Sequence, residues 1–276
     1  MSGSRSLICP LQTDDIEFAC SLVELAGWNQ RAEDWSRLLA AEPEGCFLIE
    51  WNGSPAGTAT TTRYGSDLGW VGMVLVHPDF RRRGLATALL ERCLVYLLEE
   101  NQMSCVKLDA TPEGQKVYEK LGFHAELELT RWEGTEIFGE PPLESGQSVI
   151  IPKDLDHIAF GADRLEYLER LRSDSDRAAI GPEGFGLSRQ GRVARYLGPV
   201  VAEFPDTGRS LVQALLTSPS PGPVYWDIPE ENTGAKELAG ELGFQRQRPL
   251  IRMWTGKAQA TGQANLQWAI GAPETG

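Results

Sequence analysis

The sequence predicts an α/β protein, or a closely related α+β layer fold, in which one arrangement of strands and helices occurs twice. Strand-like and helix-like patterns alternate through the first half of the 276 residues. A stretch rich in glycine, proline, serine and glutamate, "GTEIFGEPPLESGQS", is typical of a linker, and phrases from the first half return after it. We therefore predict a domain over residues 1–134, a linker over 135–148 and a second domain over 149–276, hereafter the first and second halves.

Capping and turn residues predict the first elements. A helix begins after Asp14 or Asp15, either of which can cap its free amides, and its apolar residues keep to one face until about Ala26. The stretch "FLIEWNGSPAGTATTT" predicts a β-hairpin, because its Asn52-Gly53 dipeptide tolerates the positive φ angles of a tight turn.

A buried strand and further alternating elements follow. The run "WVGMVLV", residues 70–76, is continuously apolar and predicts a central strand. From Leu85 the apolar residues recur at helical spacing. "CVKLDA" then predicts a strand, "EGQKVYEKLG" a helix that ends at Gly122, and "AELELTRW" an alternating strand.

Two phrases of the first half recur in the second half in the same order. "LGFHAELELTRWEG" at 121–134 is echoed by "LGFQRQRPLIRMWTG" at 242–256, and "VGMVLVHPD" at 71–79 by "LGPVVAEFPD" at 197–206. Strand–helix–strand folds share such short phrases by chance, which is the alternative explanation. The common order favours one architecture used twice.

Composition and charge indicate the class of protein and the kind of partner. With 41% hydrophobic and 24% charged residues, the chain is expected to fold around real cores. A formal charge of −13 argues against a nucleic-acid partner, which needs a basic face, and suits a cationic substrate.

The cysteines and the apolar runs suggest a cytoplasmic protein without metal or membrane. All five cysteines lie in the first half, without C-x-x-C spacing or a nearby histidine cluster, which favours reduced thiols over disulfides or a zinc site. We expect no signal peptide at the amino terminus and, without a run of 18 apolar residues, no membrane span.

A basic turn precedes the helix that begins at Leu85. Three arginines, Arg81 to Arg83, are followed by Gly84, so unpaired helical amides and the helix dipole lie next to positive charge. Small residues at Gly84 and Ala86 would let a phosphate reach those amides. An isolated turn of this kind is usually an ordinary solvated basic turn, so its meaning depends on the surrounding sequence.

The surrounding sequence resembles a known family. "VLVHPDFRRRGLATALL", followed by "LDATPEGQKVYEKLGF", is similar to the two central motifs of the GNAT family of acetyl-CoA-dependent N-acetyltransferases, including the R/Q-x-x-G-x-G/A signature. The resemblance covers about residues 5–134, and the whole chain resembles tandem-GNAT bacterial proteins with a degenerate second half. It implies the GNAT fold in each half, a mixed central sheet flanked by helices, and acetyl-CoA as cosubstrate.

The resemblance also implies site residues in the first half. The main chain of one strand would pair with the pantetheine arm and hold the acetyl carbonyl, and the amides of the basic turn would hold the pyrophosphate. Tyr118 would protonate the departing thiolate, and Thr111 stands where the family often has asparagine. The strand residues are Val74, Leu75 and Val76, and the turn residues are Arg82, Arg83, Gly84, Leu85, Ala86 and Thr87.

The second half departs from this pattern. Aligning the Leu-Gly-Phe phrases places Ala239 opposite Tyr118 and Asn232 opposite the threonine, and "EFPDTGRSL" has no phosphate cradle. The second half should therefore neither bind CoA in the same way nor catalyse, and we expect a wall of the substrate cleft or a dimer surface. Asp156 and Arg164 either face that cleft or serve as a helix cap and a surface arginine.

The general base is open at this stage. Asp109, in the strand before the tyrosine helix, and Asp34, in "GWNQRAEDW", are the two candidates. Trp28 and Asn29 either line the acceptor site or anchor a helix–helix turn.

These features predict an N-acetyltransferase in which a primary amine attacks the acetyl-CoA thioester directly in a ternary complex. The amine belongs to a small molecule or a peptide, no metal takes part, and a homodimer is compatible with the sequence. The alternatives are a non-catalytic acyl-CoA-binding or sensor protein, a longer acyl donor, or a protein amine acceptor. A covalent route is disfavoured, because neither Cys93 nor Cys105 has a histidine nearby in sequence.

Overall fold

A computed structural model describes residues 5–140, 150–258 and 260–276, so positions 141–148 of the predicted linker lie outside the described residues. Residues 5–140 contain four α-helices and seven strands, the last of which lies within the predicted linker. The helices are α1 Ile16–Leu25, α2 Ala32–Ala41, α3 Leu85–Leu94, which continues as a wider turn over Val95–Glu100, and α4 Pro112–Lys120. The strands are β1 Ser6–Pro10, β2 Phe47–Trp51, β3 Ser54–Tyr64, β4 Leu68–Val76, β5 Cys105–Ala110, β6 His124–Thr135 and β7 Ile137–Phe138.

The rest of the chain repeats this alternation. Its helices are α5 Lys153–Phe160, α6 Leu165–Asp174, α7 Pro205–Leu216 and α8 Thr233–Glu241. Its strands are β8 Arg177–Gly181, β9 Gly184–Arg189, β10 Arg195–Ala202, β11 Thr217–Ser218, β12 Pro223–Pro229, β13 Gln245–Gly256 and β14 Gln267–Ala269. No helix within the described ranges is long and apolar enough to cross a membrane.

Twelve strands form one continuous sheet through both halves, in the order β1-β2-β3-β4-β5-β13-β6-β12-β10-β9-β8, with β14 beside β10. Two pairs of neighbours, β4 with β5 and β10 with β12, are parallel, and the other pairs along this path are antiparallel. The predicted fold class, a mixed sheet flanked by helices, is confirmed.

The two halves exchange strands at their border. Strand β13, from near the end of the chain, lies between β5 and β6, and β6 pairs in turn with β12 of the second half. The two strands that follow the Leu-Gly-Phe phrases therefore pair with each other. Neither half completes its sheet from its own residues.

Helices cover both faces of the sheet in the first half. On one side, hereafter the α3–α4 face, Leu89 and Phe123 pack against Val106. On the other, the α1–α2 face, Met73 and Leu75 of β4 pack against the first two helices. The second half extends the α1–α2 face. There α5 and α6 pack against the end of β3 and the beginning of β4 through a cluster of aromatic rings. The rings are Tyr64, Trp70, Phe160 and Tyr167.

The last seven residues, 270–276, follow β14 and return to the first half. All of them except Pro273 are buried. Gly72 of β4 has no room for a side chain, because an ideal Cβ would lie 2.8 Å from the Cα of Glu274. This segment, hereafter the C-terminal segment, therefore packs directly on the α1–α2 face of β4.

Candidate active site

Strands β4 and β5 separate at the centre of the sheet. They pair in parallel from Leu68 opposite Cys105 as far as Trp70 opposite Lys107, and no further pairing between them occurs in the described chain. At Met73 the φ angle is +51° and the pairing of β4 with β3 shifts register. The result is a wedge-shaped opening, bordered on one side by the main chain of residues 74–76.

Two of the three arginines in the basic turn contact the protein itself. The Arg81 Nε donates to the Val76 carbonyl at 3.1 Å, and the Arg83 guanidinium lies 5.1 Å from the centre of the Trp51 ring. Arg82 is exposed, with a φ angle of +60°. The turn is thus shaped by its own side chains and leaves its positive charge at the surface.

Gly84 is the residue that caps α3. Its φ angle of +79° is left-handed, and an ideal Cβ on it would have no atom within 4 Å. The first helical hydrogen bond runs from the Ala88 N–H to the Gly84 carbonyl at 3.0 Å, so the amides of residues 85–87 have no helical partner. Open space, free amides and nearby arginines together suit an anion such as a phosphate.

Tyr118 lies on α4, and its ring packs edge-on against Phe123 with centroids 6.0 Å apart. Burial raises the pKa of Tyr118 to about 12, so its hydroxyl stays protonated at neutral pH. Among the described residues, the hydroxyl has no hydrogen-bond partner. Thr111 caps the same helix by accepting the Gly114 N–H at 3.3 Å, a contact that leaves its own hydroxyl proton available.

On the α1–α2 face, the loop between α1 and α2 is bound to the loop between β9 and β10. The Asn29 side chain donates to the Ala194 carbonyl at 2.9 Å and accepts from the Val193 amide at 2.8 Å. The Trp28 carbonyl accepts from the Arg192 Nε at 2.9 Å. The second half thus covers this side of the first half.

A small cleft of about 10 Å³, room for about one water molecule, lies beneath these two loops. Its walls come from the α1–α2 loop, from α2, from β9 and β10, and from the C-terminal segment. The lining residues are Asn29, Gln30, Asp34, Arg189, Gln190, Gly191, Tyr196 and Glu274.

Asp34 lines this cleft but is fully engaged by its neighbours. It accepts the Arg31 amide at 2.8 Å, receives the Arg189 Nε at 3.2 Å and forms a short ion pair with Arg37. Burial opposes its ionisation, yet the two guanidinium groups outweigh burial and hold the pKa of Asp34 below its ordinary value. Such a carboxylate is a weak proton acceptor.

Asp109 lies inside the sheet, where Arg252 of β13 contacts both its oxygens at 2.8 and 2.9 Å. Its side chain has no exposed surface. Burial raises the pKa of Asp109 despite the opposing guanidinium. With both oxygens held by an arginine, it is badly placed to receive a proton from a substrate.

Two features of the second half escaped the sequence analysis. Asp156 and Arg164 form a buried two-pronged ion pair at 2.9 and 3.0 Å, so Arg164 is not a surface residue. Glu274 reaches the cleft from the C-terminal segment, where "GAPETG" has no periodicity or motif to mark it. Only its proximity to Gly72, far away in sequence, identifies it.

In the second half, the corresponding opening is filled by the protein itself. Strands β10 and β12 pair in parallel only as far as Leu197 opposite Trp226, and beyond that point β14 pairs with β10. The Asn232 amide donates to the Gln267 carbonyl at 3.1 Å, and the ring of Trp268 packs against Gly208 of α7. The chain's own backbone thus occupies the place that corresponds to the β4–β5 wedge.

Comparison with known proteins agrees with this architecture. Residues 13–123 match the acetyltransferase (GNAT) family, and residues 153–269 match a second acetyltransferase (GNAT) domain. An uncharacterized N-acetyltransferase of Bacillus subtilis (strain 168), YitH, is 28% identical over 204 residues, which span 68% of this chain and 70% of that protein.

Two further similarities extend through both halves. A holothin acyltransferase of Pseudoalteromonas sp. (strain SANK 73390) is 24% identical over 270 residues, 90% of this chain and 87% of that protein. A solved structure from Pyrococcus horikoshii, described as a candidate acetyltransferase, has a TM-score of 0.80 and 25% identity over 100% of this chain and 97% of that one. The chain therefore belongs to the GNAT family of acetyltransferases and carries two GNAT domains in tandem.

Proposed function

We propose that the chain transfers an acetyl group from acetyl-CoA to a primary amine, and that the β4–β5 wedge of the first half is the site of transfer. The observation that carries this proposal is that three features, each suited to part of acetyl-CoA, follow one another along the chain beside one opening. The main chain of residues 74–76 borders the wedge, the open cap at Gly84 lies at the end of the turn that follows, and α4 with Tyr118 follows β5.

The residues present fit acetyl-CoA. The free amides of Leu85, Ala86 and Thr87 would hold the pyrophosphate, with Arg82 and Arg83 adding positive charge and Gly84 leaving room for the approach. The edge of β4 that does not pair with β5, along Val74, Leu75 and Val76, would hydrogen-bond the amide groups of the pantetheine arm through the main-chain groups that remain free beside the Val76 carbonyl, which accepts from Arg81. Thr111 would add a hydroxyl donor from the first turn of α4.

The chemistry assigned to these groups is direct displacement. The amine nitrogen attacks the thioester carbon, a C–N bond forms, and the carbonyl oxygen becomes an oxyanion that a main-chain N–H of β4 stabilises. The C–S bond then breaks, and Tyr118 donates its proton to the thiolate. Burial raises the pKa of Tyr118 to about 12, so the hydroxyl is protonated at neutral pH and can act as the donor.

A longer acyl donor is the second candidate for the same site. The relative that aligns over 90% of this chain is named an acyltransferase rather than an acetyltransferase. The donor and the acceptor are therefore best varied together.

A thiol-release assay tests the proposal, with acetyl-CoA and longer acyl-CoAs offered against a panel of primary amines. We expect CoA release that depends on the amine, with a product heavier by one acyl group in mass spectrometry. Tight acyl-CoA binding without transfer to any amine would contradict the proposal and favour a sensor protein. Transfer from a longer acyl-CoA but not from acetyl-CoA would change the proposed donor and leave the proposed site unchanged.

A further inference from the structure

The C-terminal segment carries a carboxylate, Glu274, whose nearest arginine nitrogen lies beyond hydrogen-bond distance. The C-terminal segment places Glu274 against Gly72, two residues before Val74. Glu274 therefore lies on the α1–α2 face of β4, next to the part of the strand that borders the wedge. The anion cradle at α3 lies toward the opposite face.

Hydrogen bonds from both halves hold this segment in place. Tyr64 donates to the Thr275 carbonyl at 2.8 Å, and the Trp70 Nε1 donates to the Pro273 carbonyl at 3.1 Å. From the second half, Arg189 donates to the Gly271 carbonyl at 3.2 Å and Arg164 to the Gly276 carbonyl at 2.7 Å. These hydrogen bonds fix the backbone around Glu274. A group that reacts with a substrate needs such a fixed position.

The Glu274 carboxylate has a looser environment than the other two acids considered for the site. Gln30 donates to its Oε2 at 2.8 Å, and the nearest guanidinium nitrogen, on Arg189, lies 3.6 Å from its Oε1. By contrast, Asp34 and Asp109 each receive an arginine at hydrogen-bond distance. Among the described residues, the buried Oε1 of Gln30 has no hydrogen-bond partner, which leaves an acceptor beside Glu274 for an amine N–H.

We propose that Glu274 is the general base of the transfer reaction and receives the proton that the amine must lose, with Gln30 orienting the amine. This inference rests on the proposed function. A primary amine arrives as an ammonium ion, and its nitrogen loses two protons. The first passes to Glu274 and leaves through the cleft to water, and the neutral amine attacks. The second leaves the nitrogen of the tetrahedral adduct to water, and Tyr118, which gives its proton to the thiolate, is reprotonated from water, so one proton is released overall.

The charges around Glu274 suit this role. Burial raises the pKa of Glu274 above its ordinary value, the neighbouring Arg189 opposes that rise and Asp34 adds to it. A carboxylate with a raised pKa is a better proton acceptor near neutral pH than an ordinary one. The charged and titratable groups that face it are Asp34 on α2, Arg189 on β9, Tyr196 on β10, Arg131 on β6 and Tyr64 on β3.

The first test is Glu274→Gln, which keeps the shape and removes the charge. In single-turnover measurements the rate of transfer should fall by about 10²-fold or more, while CoA affinity by calorimetry stays at the wild-type value. The rate difference between Glu274→Gln and the wild type should become smaller at high pH and with weakly basic amines. In both cases more of the amine is already neutral and needs no base to remove its proton. The matched control is Glu136→Gln, another buried glutamate paired with arginine but outside the cleft, which should keep the wild-type rate.

A second variant covers the case in which Glu274→Gln fails to fold. Arg189→Gln removes the charge that lowers the pKa of Glu274, so the acid limb of the kcat/KM profile should move to higher pH. A Glu274→Gln rate within twofold of wild type, or an unmoved acid limb in Arg189→Gln, would overturn this inference and leave the proposed function intact. A wild-type protein that transfers to no amine would overturn both.

Discussion

Arg131 of β6 and Asp227 of β12 lie directly opposite each other across the border between the halves and form a two-pronged ion pair. The Nε–Oδ1 distance is 2.8 Å and the Nη2–Oδ2 distance 2.6 Å. Tyr196 of β10 donates a short hydrogen bond to the same carboxylate, which has no exposed surface. This carboxylate therefore joins three strands at the centre of the shared sheet.

Asp227→Asn should lower the free energy of unfolding by about 3–5 kcal/mol, because it leaves the Arg131 guanidinium buried without a counter-charge. Urea denaturation at neutral pH measures the loss, and Glu241→Gln, in an exposed ion pair with Arg209, should leave the urea midpoint nearly unchanged. Burial opposes ionisation of Asp227, but Arg131 and Tyr196 outweigh it and hold the pKa below the ordinary value. Its contribution to stability is thus complete above an ordinary aspartate pKa of about 3.9 and disappears as the pH falls through the lower native pKa. The difference between the two proteins should narrow over that acid range, and a constant difference would contradict this account.

Gly84→Val should weaken CoA binding more than Arg81→Ala does, as measured by calorimetry. Valine is strained at a φ of +79°, and its side chain would enter the open space at the cap of α3. Arg81→Ala removes charge and a contact to Val76 but leaves the amides in place. Gly243→Val introduces the same strain, at a φ of +79° beside open space but at the end of α8, and should leave CoA affinity unchanged. If both variants fold and Arg81→Ala loses more CoA affinity than Gly84→Val, the binding energy comes mainly from the arginines.

Tyr118→Phe should lower the single-turnover rate by roughly tenfold to a thousandfold and leave CoA affinity nearly constant. The substitution removes one oxygen and keeps the ring that packs on Phe123. Water replaces part of the lost acid, which places the effect on the low side of the usual range for a positioned acid. Tyr225→Phe in the second half is the control for loss of a tyrosine hydroxyl. A wild-type single-turnover rate in Tyr118→Phe would exclude Tyr118 as the acid.

A calorimetric titration should find one CoA site per chain. The second half places β14 in the opening between β10 and β12, and Asn232 donates to the backbone of that segment instead of to a ligand. The position opposite Tyr118 is Ala239, which is fully buried. Two equivalent sites would contradict the assignment of transfer to the first half alone.

Local structure in the first half could be predicted closely from sequence. "CVKLDA" coincides with β5, and the Asn52-Gly53 turn has φ angles of 53° and 81°. These features depend on residues that are adjacent along the chain, such as a turn dipeptide or an apolar run. The stop at Gly122 likewise follows from its φ of 84°.

Neither the pairing of strands nor the contacts that engage the candidate acids could be predicted in this way. The phrase at 242–256 indicates a strand, but an alternating pattern does not specify which strands lie beside it. Asp34 and Asp109 looked equally available, because their partners Arg189 and Arg252 are distant in sequence. Glu274 lies in a short segment without periodicity, and only the folded chain brings it to β4.

The position of β13 also has a consequence for biosynthesis. As the chain leaves the ribosome, β5 emerges well before the strand that will cover its edge. At 5–20 residues per second, β13 follows β5 on the order of ten seconds later. Where no other strand covers β5 during this interval, its edge is a bare row of backbone donors and acceptors, the feature that promotes aggregation between chains. A chain that stops before residue 245 would lack β13, the strand that separates β5 from β6 in this sheet.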